Sequence, residues 1–280
     1  MAPALVGADR PRMKFWKMSG SGNDFVFVDG IGHPQDAAVA ADPDFVRTVC
    51  APHTGVGADG VAIFRPSEDA DFALSYFNRD GSEGELCGNA SLCAVRLSTE
   101  LGIARQSGLR FSTLAGAIHG RIRGGRPEVD LQPVQALRAD AGIDRLPEEQ
   151  AMGFANTGVP HLVIRTEALA DAPLATRGPE LRYHRSLEAG ANVNWVARRP
   201  GGWAMRTYER GVEAETLACG TGAVACAALL RAWGEVGEAT ALLTKSGQQL
   251  DVRFRDEDGL WYPTLAGEGR IVFEGQLREI

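Results

Sequence analysis

Short β-rich runs recur along the chain, each closed by glycine or a polar turn. Phe25-Val-Phe-Val28, Asp71 to Phe77, His161-Leu-Val-Ile164, Ala191 to Val196 and Ala204 to Tyr208 are dense in branched and aromatic residues and predict strands. A first strand is expected to open at Met13. Two stretches break this rhythm. After Cys87, Leu92, Val95, Leu97 and Leu101 recur among Ala and Ser and predict a helix. After Cys219, the run Gly-Ala-Val-Ala-Cys-Ala-Ala-Leu-Leu-Arg-Ala-Trp is apolar on nearly every face. Such a helix is expected in the centre of a barrel-like sheet.

The pattern is written twice. Tyr76 precedes Cys87-Gly88-Asn89 by 11 positions, and Tyr208 precedes Cys219-Gly220-Thr221 by the same 11, at an offset of 132 between the cysteines. Thr113-Leu-Ala-Gly116 matches Thr244-Lys-Ser-Gly247 at an offset of 131, and Gly22 to Val26 matches Gly158 to Leu162 at 136. Three pairs in one order with nearly one spacing indicate an internal duplication. The predicted fold is α/β (α+β): two pseudo-symmetric lobes, each a barrel-like sheet around a central helix. Residues 13–131 form the first lobe and 132–267 the second, the crossover falling near Leu131 to Gln135. Residues 1–12 read as a poorly ordered lead-in without the apolar core of a signal peptide.

Composition narrows the function. The 280 residues carry 29 Lys and Arg against 36 Asp and Glu, a net charge of -7, which disfavours nucleic acid or an anionic membrane as partner. No apolar stretch is long enough to span a bilayer. The cytoplasm is the expected compartment. Five cysteines make no even disulfide framework and are expected as thiols. Cys50, Cys93 and Cys226 lie among apolar residues and read as small buried side chains. The GxGxxG at Gly55 to Gly60 follows Pro52-His53 and leads into a strand, the wrong context for a dinucleotide. Only three lysines, Lys14, Lys17 and Lys245, are available for a Schiff base.

Cys87 and Cys219 stand apart because each opens a predicted helix and is followed by glycine. A helix N-terminus offers unpaired N–H groups and a partial positive charge. That field is expected to lower a thiol toward neutrality and to attract a carboxylate. Two such sites facing each other place one thiolate to remove a Cα proton and the opposite thiol to return one to the other face. This is the arrangement an amino-acid racemase or epimerase needs.

The residues resemble the diaminopimelate epimerase family from Met13 to about Gly275. The blocks that carry the resemblance are Lys17 to Phe25, Gly55 to Gly60, Tyr76 to Ser82, Leu86-Cys-Gly-Asn89, Pro160-His161, Ala191-Asn192-Val193 and Tyr208-Glu-Arg-Gly211 with Ala218-Cys-Gly-Thr-Gly222. The resemblance implies an active site in the cleft between the lobes and a last strand (within 268–280) returning to the first lobe. It implies a small amino-acid substrate, interconversion of LL- and meso-diaminopimelate, and no metal or organic cofactor. A homodimer is compatible with it. By position it makes Cys87 and Cys219 the acid/base pair, with His161 and Glu209 tuning or orienting the thiols. Asn23 and the backbone of Gly88, Asn89, Gly220 and Thr221 would hold the reacting end. Asn78, Asn192, Glu209 and Arg210 would hold the distal end. Three positions depart from the family pattern: Val159 replaces an amide, Ala90 a glycine and Leu92 an arginine. Asn156 is a candidate to compensate for Val159. A racemase of another amino acid, of histidine or hydroxyproline type, is the first alternative. A non-catalytic amino-acid-binding or redox-responsive protein is the second.

Overall fold

The computed structural model describes residues 12–278, so the lead-in expected for 1–12 lies outside the described residues except for Arg12. The chain runs β1 (Met13–Gly20), β2 (Asn23–Asp29), α1 (Pro34–Ala40), α2 (Pro43–Cys50), β3 (Gly60–Arg65), β4 (Phe72–Asn78), β5 (Glu83–Gly84), α3 (Gly88–Glu100), β6 (Leu109–Thr113), β7 (Gly116–Arg123) and β8 (Arg126–Asp130). It then repeats: β9 (Gln135–Arg138), β10 (Ala151–Asn156), β11 (Pro160–Arg165), α4 (Leu174–Arg182), β12 (Asn192–Arg199), β13 (Gly202–Glu209), β14 (Ala214–Thr216), α5 (Gly220–Ala232), β15 (Ala239–Leu243), β16 (Gln249–Glu257) and β17 (Leu260–Ala266). β18 (Arg270–Leu277) pairs antiparallel with β1, and β9 pairs antiparallel with β10. Each lobe therefore takes its leading edge strand from the chain that follows the other lobe's last strand. β8 and β17 pair directly, Thr264 opposite Asp130, and join the two sheets.

Alternation within strands sorts the core into layers. On β2, Phe25 and Phe27 face inward to the cluster containing α3, while Val26 and Val28 face outward to α1 and α2. Residues i and i+2 share a face, so one strand serves two cores. Gly220 through Leu230 of α5 are all buried, as its uniformly apolar sequence requires. Both central helices contribute to one continuous inner cluster. Truncating a fully buried residue there, such as Leu229, is expected to cost roughly 2–5 kcal/mol.

The helices α1, α2 and α4 are absent from the sequence reading. β2 and β3 run parallel, as do β11 and β12, and a parallel pair needs a crossover that covers the sheet. The α2 start was legible: Asp42 caps it, its carboxylate accepting from Asp44 and Phe45, with Pro43 in the first turn.

One equivalence needs correction. Tyr76 lies opposite Gly84, whereas the residue opposite Thr216 is Thr207. Gly84 and Thr216 each stand three positions before their cysteine, so the structural counterpart of Tyr76 is Thr207, and that of Phe77 is Tyr208. The hairpin turn is one residue longer in the second lobe, and a one-residue slip moves a side chain to the other face. Tyr76 accordingly packs on the inner cluster, and Tyr208 lies in the outer one against α4. The other offsets hold. Phe25 pairs with Gly60 as His161 pairs with Asn192, and Phe111 with Phe72 as Leu242 with Trp203. Among the described residues no helix is long and apolar enough to cross a membrane.

Candidate active site

Cys87 and Cys219 are the N-cap residues of α3 and α5, both in extended backbone conformation. The two helix starts meet: a Cβ placed on Gly220 would stand 3.3 Å from Gly88 Cα and 3.2 Å from Asn89 Oδ1. A side chain on Gly220 would press on the Gly88 backbone, so glycine there lets the two first turns approach this closely. At the lobe junction Gly22, with φ of 112°, has no room for a Cβ, which would fall 2.3 Å from Ser246 Cβ. The Ser246 hydroxyl donates to Ser21 O at 2.6 Å, tying the second lobe's turn to the first lobe's.

Between the helix starts opens a cleft of ≈ 410 Å³. It is lined by Asn23, Tyr76, Asn78, Cys87, Gly88 and Asn89 from one side, and by Val159, Asn192, Glu209, Arg210, Cys219, Gly220 and Thr221 from the other. Every candidate site residue except His161 is therefore on the wall of one cavity. His161 is fully buried behind it, and among the described residues it makes no hydrogen bond to either thiol. Burial, with the Arg210 charge adding, pushes its ring down to about 3, so it is neutral at ordinary pH.

The thiols are not near neutrality, contrary to the sequence expectation. Burial pushes Cys87 up to about 12; the N–H groups of Ala90 and Asn89 pull it down, and the Glu209 and Asp59 charges oppose them. Burial likewise pushes Cys219 up to about 12, with Glu209 adding. The Gly222 N–H donates to Cys219 Sγ at 3.3 Å, and the Thr221 hydroxyl is 3.6 Å away; both pull it down. The helix N-terminus is present, but desolvation of a thiolate outweighs it. Glu209 is itself pushed upward by burial, its neighbour Thr216 opposing and Asp59 adding. Two thiols and a carboxyl thus compete to remain protonated in one cavity.

The polar lining is braced from behind. Asn89 Nδ2 donates to Asn23 Oδ1 at 2.7 Å, and Asn23 Nδ2 donates to Asp59 Oδ2 at 2.9 Å. Asp59, in the segment set aside as a failed dinucleotide motif, thereby fixes which way the Asn23 amide faces. Sequence reasoning missed it, although its position after the Gly55-Val-Gly57 turn was a usable signal. Asn192 Oδ1 accepts from the Arg210 backbone N–H at 2.8 Å, and its Nδ2 donates to Pro160 O. The Arg210 guanidinium donates to Ala189 O, and Asn78 Nδ2 donates to the Ser82 hydroxyl. Val159 fills the wall position expected of an amide. Asn156 does not replace it: its Oδ1 accepts from Gly158 N at 3.0 Å and it is not on the cavity wall.

The class is defined by this architecture: two duplicated α/β lobes with a helix-capping cysteine from each at a shared cleft. Solved structures share the fold. A Bacillus anthracis phenazine biosynthesis protein of the PhzF family matches with a TM-score of 0.72 at 14% identity, covering 96% of this chain and 99% of that one. A hydroxyproline epimerase from Agrobacterium vitis, with bound trans-4-hydroxy-L-proline, matches at 0.65 and 18% identity, covering 96% and 93%. The diaminopimelate epimerase family model matches residues 15–136 and 153–269, and the chain belongs to that family. The diaminopimelate epimerase of Gemmatimonas aurantiaca is 46% identical over 278 residues, covering 95% of this chain and 99% of the relative. That of Aquifex aeolicus is 40% identical over 277 residues, covering 95% and 98%.

Proposed function

We propose that this protein is an isomerase that interconverts LL- and meso-diaminopimelate by moving the Cα proton between Cys87 and Cys219. The observation that carries the proposal is that both helix-capping cysteines line one cleft whose helix starts touch through Gly88 and Gly220. The substrate α-carboxylate lies against the free N–H groups of the first turns of α3 and α5. One thiolate takes the Cα proton, and the opposite thiol gives one to the other face. The same N–H groups stabilise the negative charge that develops on the carboxylate. A thiolate whose conjugate acid is pushed up by burial is a stronger base toward that carbon. Glu209, whose charge acts on both thiols, tunes how readily they ionise. Asn23 and Asn89 hold the reacting end, while Asn78, Asn192 and Arg210 hold the distal amino-acid end.

Residues 13–131 with the last strand act as one body and 132–267 as the other, closing on the substrate. We place the reaction in the cytoplasm, as a step toward lysine. A homodimer is supported by β18, an edge strand whose Val272 and Phe273 are exposed. The test is proton NMR in D2O under reducing conditions with LL-diaminopimelate, histidine and hydroxyproline offered separately. Exchange and inversion of diaminopimelate alone is expected. Turnover of another amino acid would redirect the substrate toward a pocket reshaped at Val159. Binding with no exchange would leave a non-catalytic role.

A further inference from the structure

The duplication allows the surroundings of the two thiols to be compared position by position. Three inward-facing strand positions of the first lobe are Phe25, Ala62 and Tyr76, the two aromatics meeting edge to face at 6.0 Å between centroids. Strand pairing puts His161, Asn194 and Thr207 in the same places of the second lobe. All three are buried, exposed by 0%, 0% and 2%. An apolar cluster in one lobe is thus a polar one in the other.

The hydrogen bonds of this cluster leave one arrangement of protons. Asn194 Nδ2 is 2.9 Å from Leu162 O, a carbonyl that can only accept. Turning the amide over would set two oxygens against each other, so Nδ2 faces that carbonyl. Its second hydrogen then points to His161 Nδ1 at 3.1 Å. Asn194 Oδ1, on the other side, accepts from the Thr207 hydroxyl at 2.8 Å. His161 Nδ1 must therefore be the acceptor, and the ring hydrogen lies on Nε2. A doubly protonated ring would put N–H against N–H. Nε2 is buried and has no partner among the described residues. The cluster also reaches the thiol. A Cβ on Gly222 would fall 2.6 Å from Asn194 Oδ1 and 3.1 Å from Cys219 Sγ. The glycine whose N–H donates to Cys219 is thus clasped between that sulfur and Asn194.

We infer that Asn194 and Thr207 are positioning residues of the Cys219 half-site, holding His161 as the neutral tautomer with its proton on Nε2. His161 is then a fixed, uncharged ring behind α5, its Nε2–H unpartnered among the described residues, and not a proton carrier. Cys87 has no such device, and the two thiols are made unequal by the fold itself. The catalytic part of this inference rests on the two-thiol reading above; the tautomer does not.

The first measurement is a two-bond proton–nitrogen correlation of the ¹⁵N-labelled imidazoles at neutral pH, with His161 assigned by its loss in His161→Gln. The pattern of an Nε2–H tautomer is expected. An Nδ1–H tautomer or an imidazolium would overturn the inference, whatever the protein turns over. The second is kinetic, with Thr207→Val beside Thr207→Ser. Thr207→Val strands the Asn194 oxygen and is expected to lower kcat about ten-fold, the scale of one hydrogen bond, with KM changed by less than about two-fold. Thr207→Ser keeps the hydroxyl and should restore kcat. Folded Thr207→Val with wild-type kcat would overturn the positioning role. No turnover of diaminopimelate by the wild type would count against the proposed substrate and leave the ring measurement standing.

Discussion

Gly220 offers a graded test of how closely the two helix starts must meet. Its φ is not in the left-handed region, so alanine there brings no backbone strain. The added methyl would stand 3.0 Å from Leu265 Cδ2, 3.2 Å from Asn89 Oδ1 and 3.3 Å from Gly88 Cα. Leu265 can rotate away; the Gly88 backbone cannot, so relief comes by separating α3 from α5 by a few tenths of an ångström. Overpacking of this kind costs about 1–3 kcal/mol, against which the better helix propensity of alanine returns up to about 1 kcal/mol. The net loss of stability in Gly220→Ala is therefore about 0–3 kcal/mol, measurable by urea unfolding. Activity should suffer more, because a displacement of about 1 Å can cost a hundred-fold where two groups must flank one carbon, and a few tenths about ten-fold. Gly88→Ala is looser, its methyl 3.2 Å from Leu265 Cδ2 and 3.5 Å from Gly220 Cα, and should lose less. Gly108→Ala meets nothing within 4 Å and should lose nothing. The assay is Cα-hydrogen exchange of LL-diaminopimelate in D2O at a fixed temperature well below unfolding. Equal activity in Gly220→Ala and Gly108→Ala would refute the reasoning.

Glu209→Gln removes a charge that pushes both thiols upward, so Cys87 and Cys219 should both alkylate faster with iodoacetamide near pH 8. The difference from wild type should shrink toward acid pH, where Glu209 is itself protonated; unchanged rates at both thiols would contradict the coupling. His161 is pushed down to about 3 in the folded protein from an ordinary 6.5. The unfolded chain therefore binds a proton that the folded one refuses, and stability is lost as pH falls through that window and is fully present above it. The unfolding free energy of wild type relative to His161→Gln should drop by about 1.4 kcal/mol per pH unit between pH 6 and 4.5. A pH-independent difference would show that the ring is protonated when folded.

The duplication and the central helices were legible because they rest on local signals: a cysteine before glycine at a helix start, twice, with one spacing. Asn23, Asn78, Asn192, Glu209 and Arg210 on the cavity wall came from the family resemblance. What was hidden depends on partners distant in the chain. The α1, α2 and α4 segments are 7, 8 and 9 residues long, too short for periodicity to announce them, and α4 carries Gly178 and Pro179. Gly178 is explained only by Tyr208, whose ring would lie 2.7 Å from a Cβ there. Tyr208 itself was misaligned because one extra turn residue reverses a strand's faces. The thiols were misjudged for a related reason. A helix N-terminus is visible in sequence, but the burial and the Glu209 charge that outweigh it come from the assembled lobes. His161 was found by resemblance, whereas Asn194 and Thr207, which hold it, looked like ordinary strand residues.

The most direct measurement of the central claim is made on Cys87→Ala and Cys219→Ala, each folded and each incubated with LL- and with meso-diaminopimelate in D2O. A proton passed between two thiols across one carbon requires both. The account predicts that inversion is lost in either variant, with at most slow exchange without inversion from the thiol that remains. Inversion at close to the wild-type rate in either variant would contradict it.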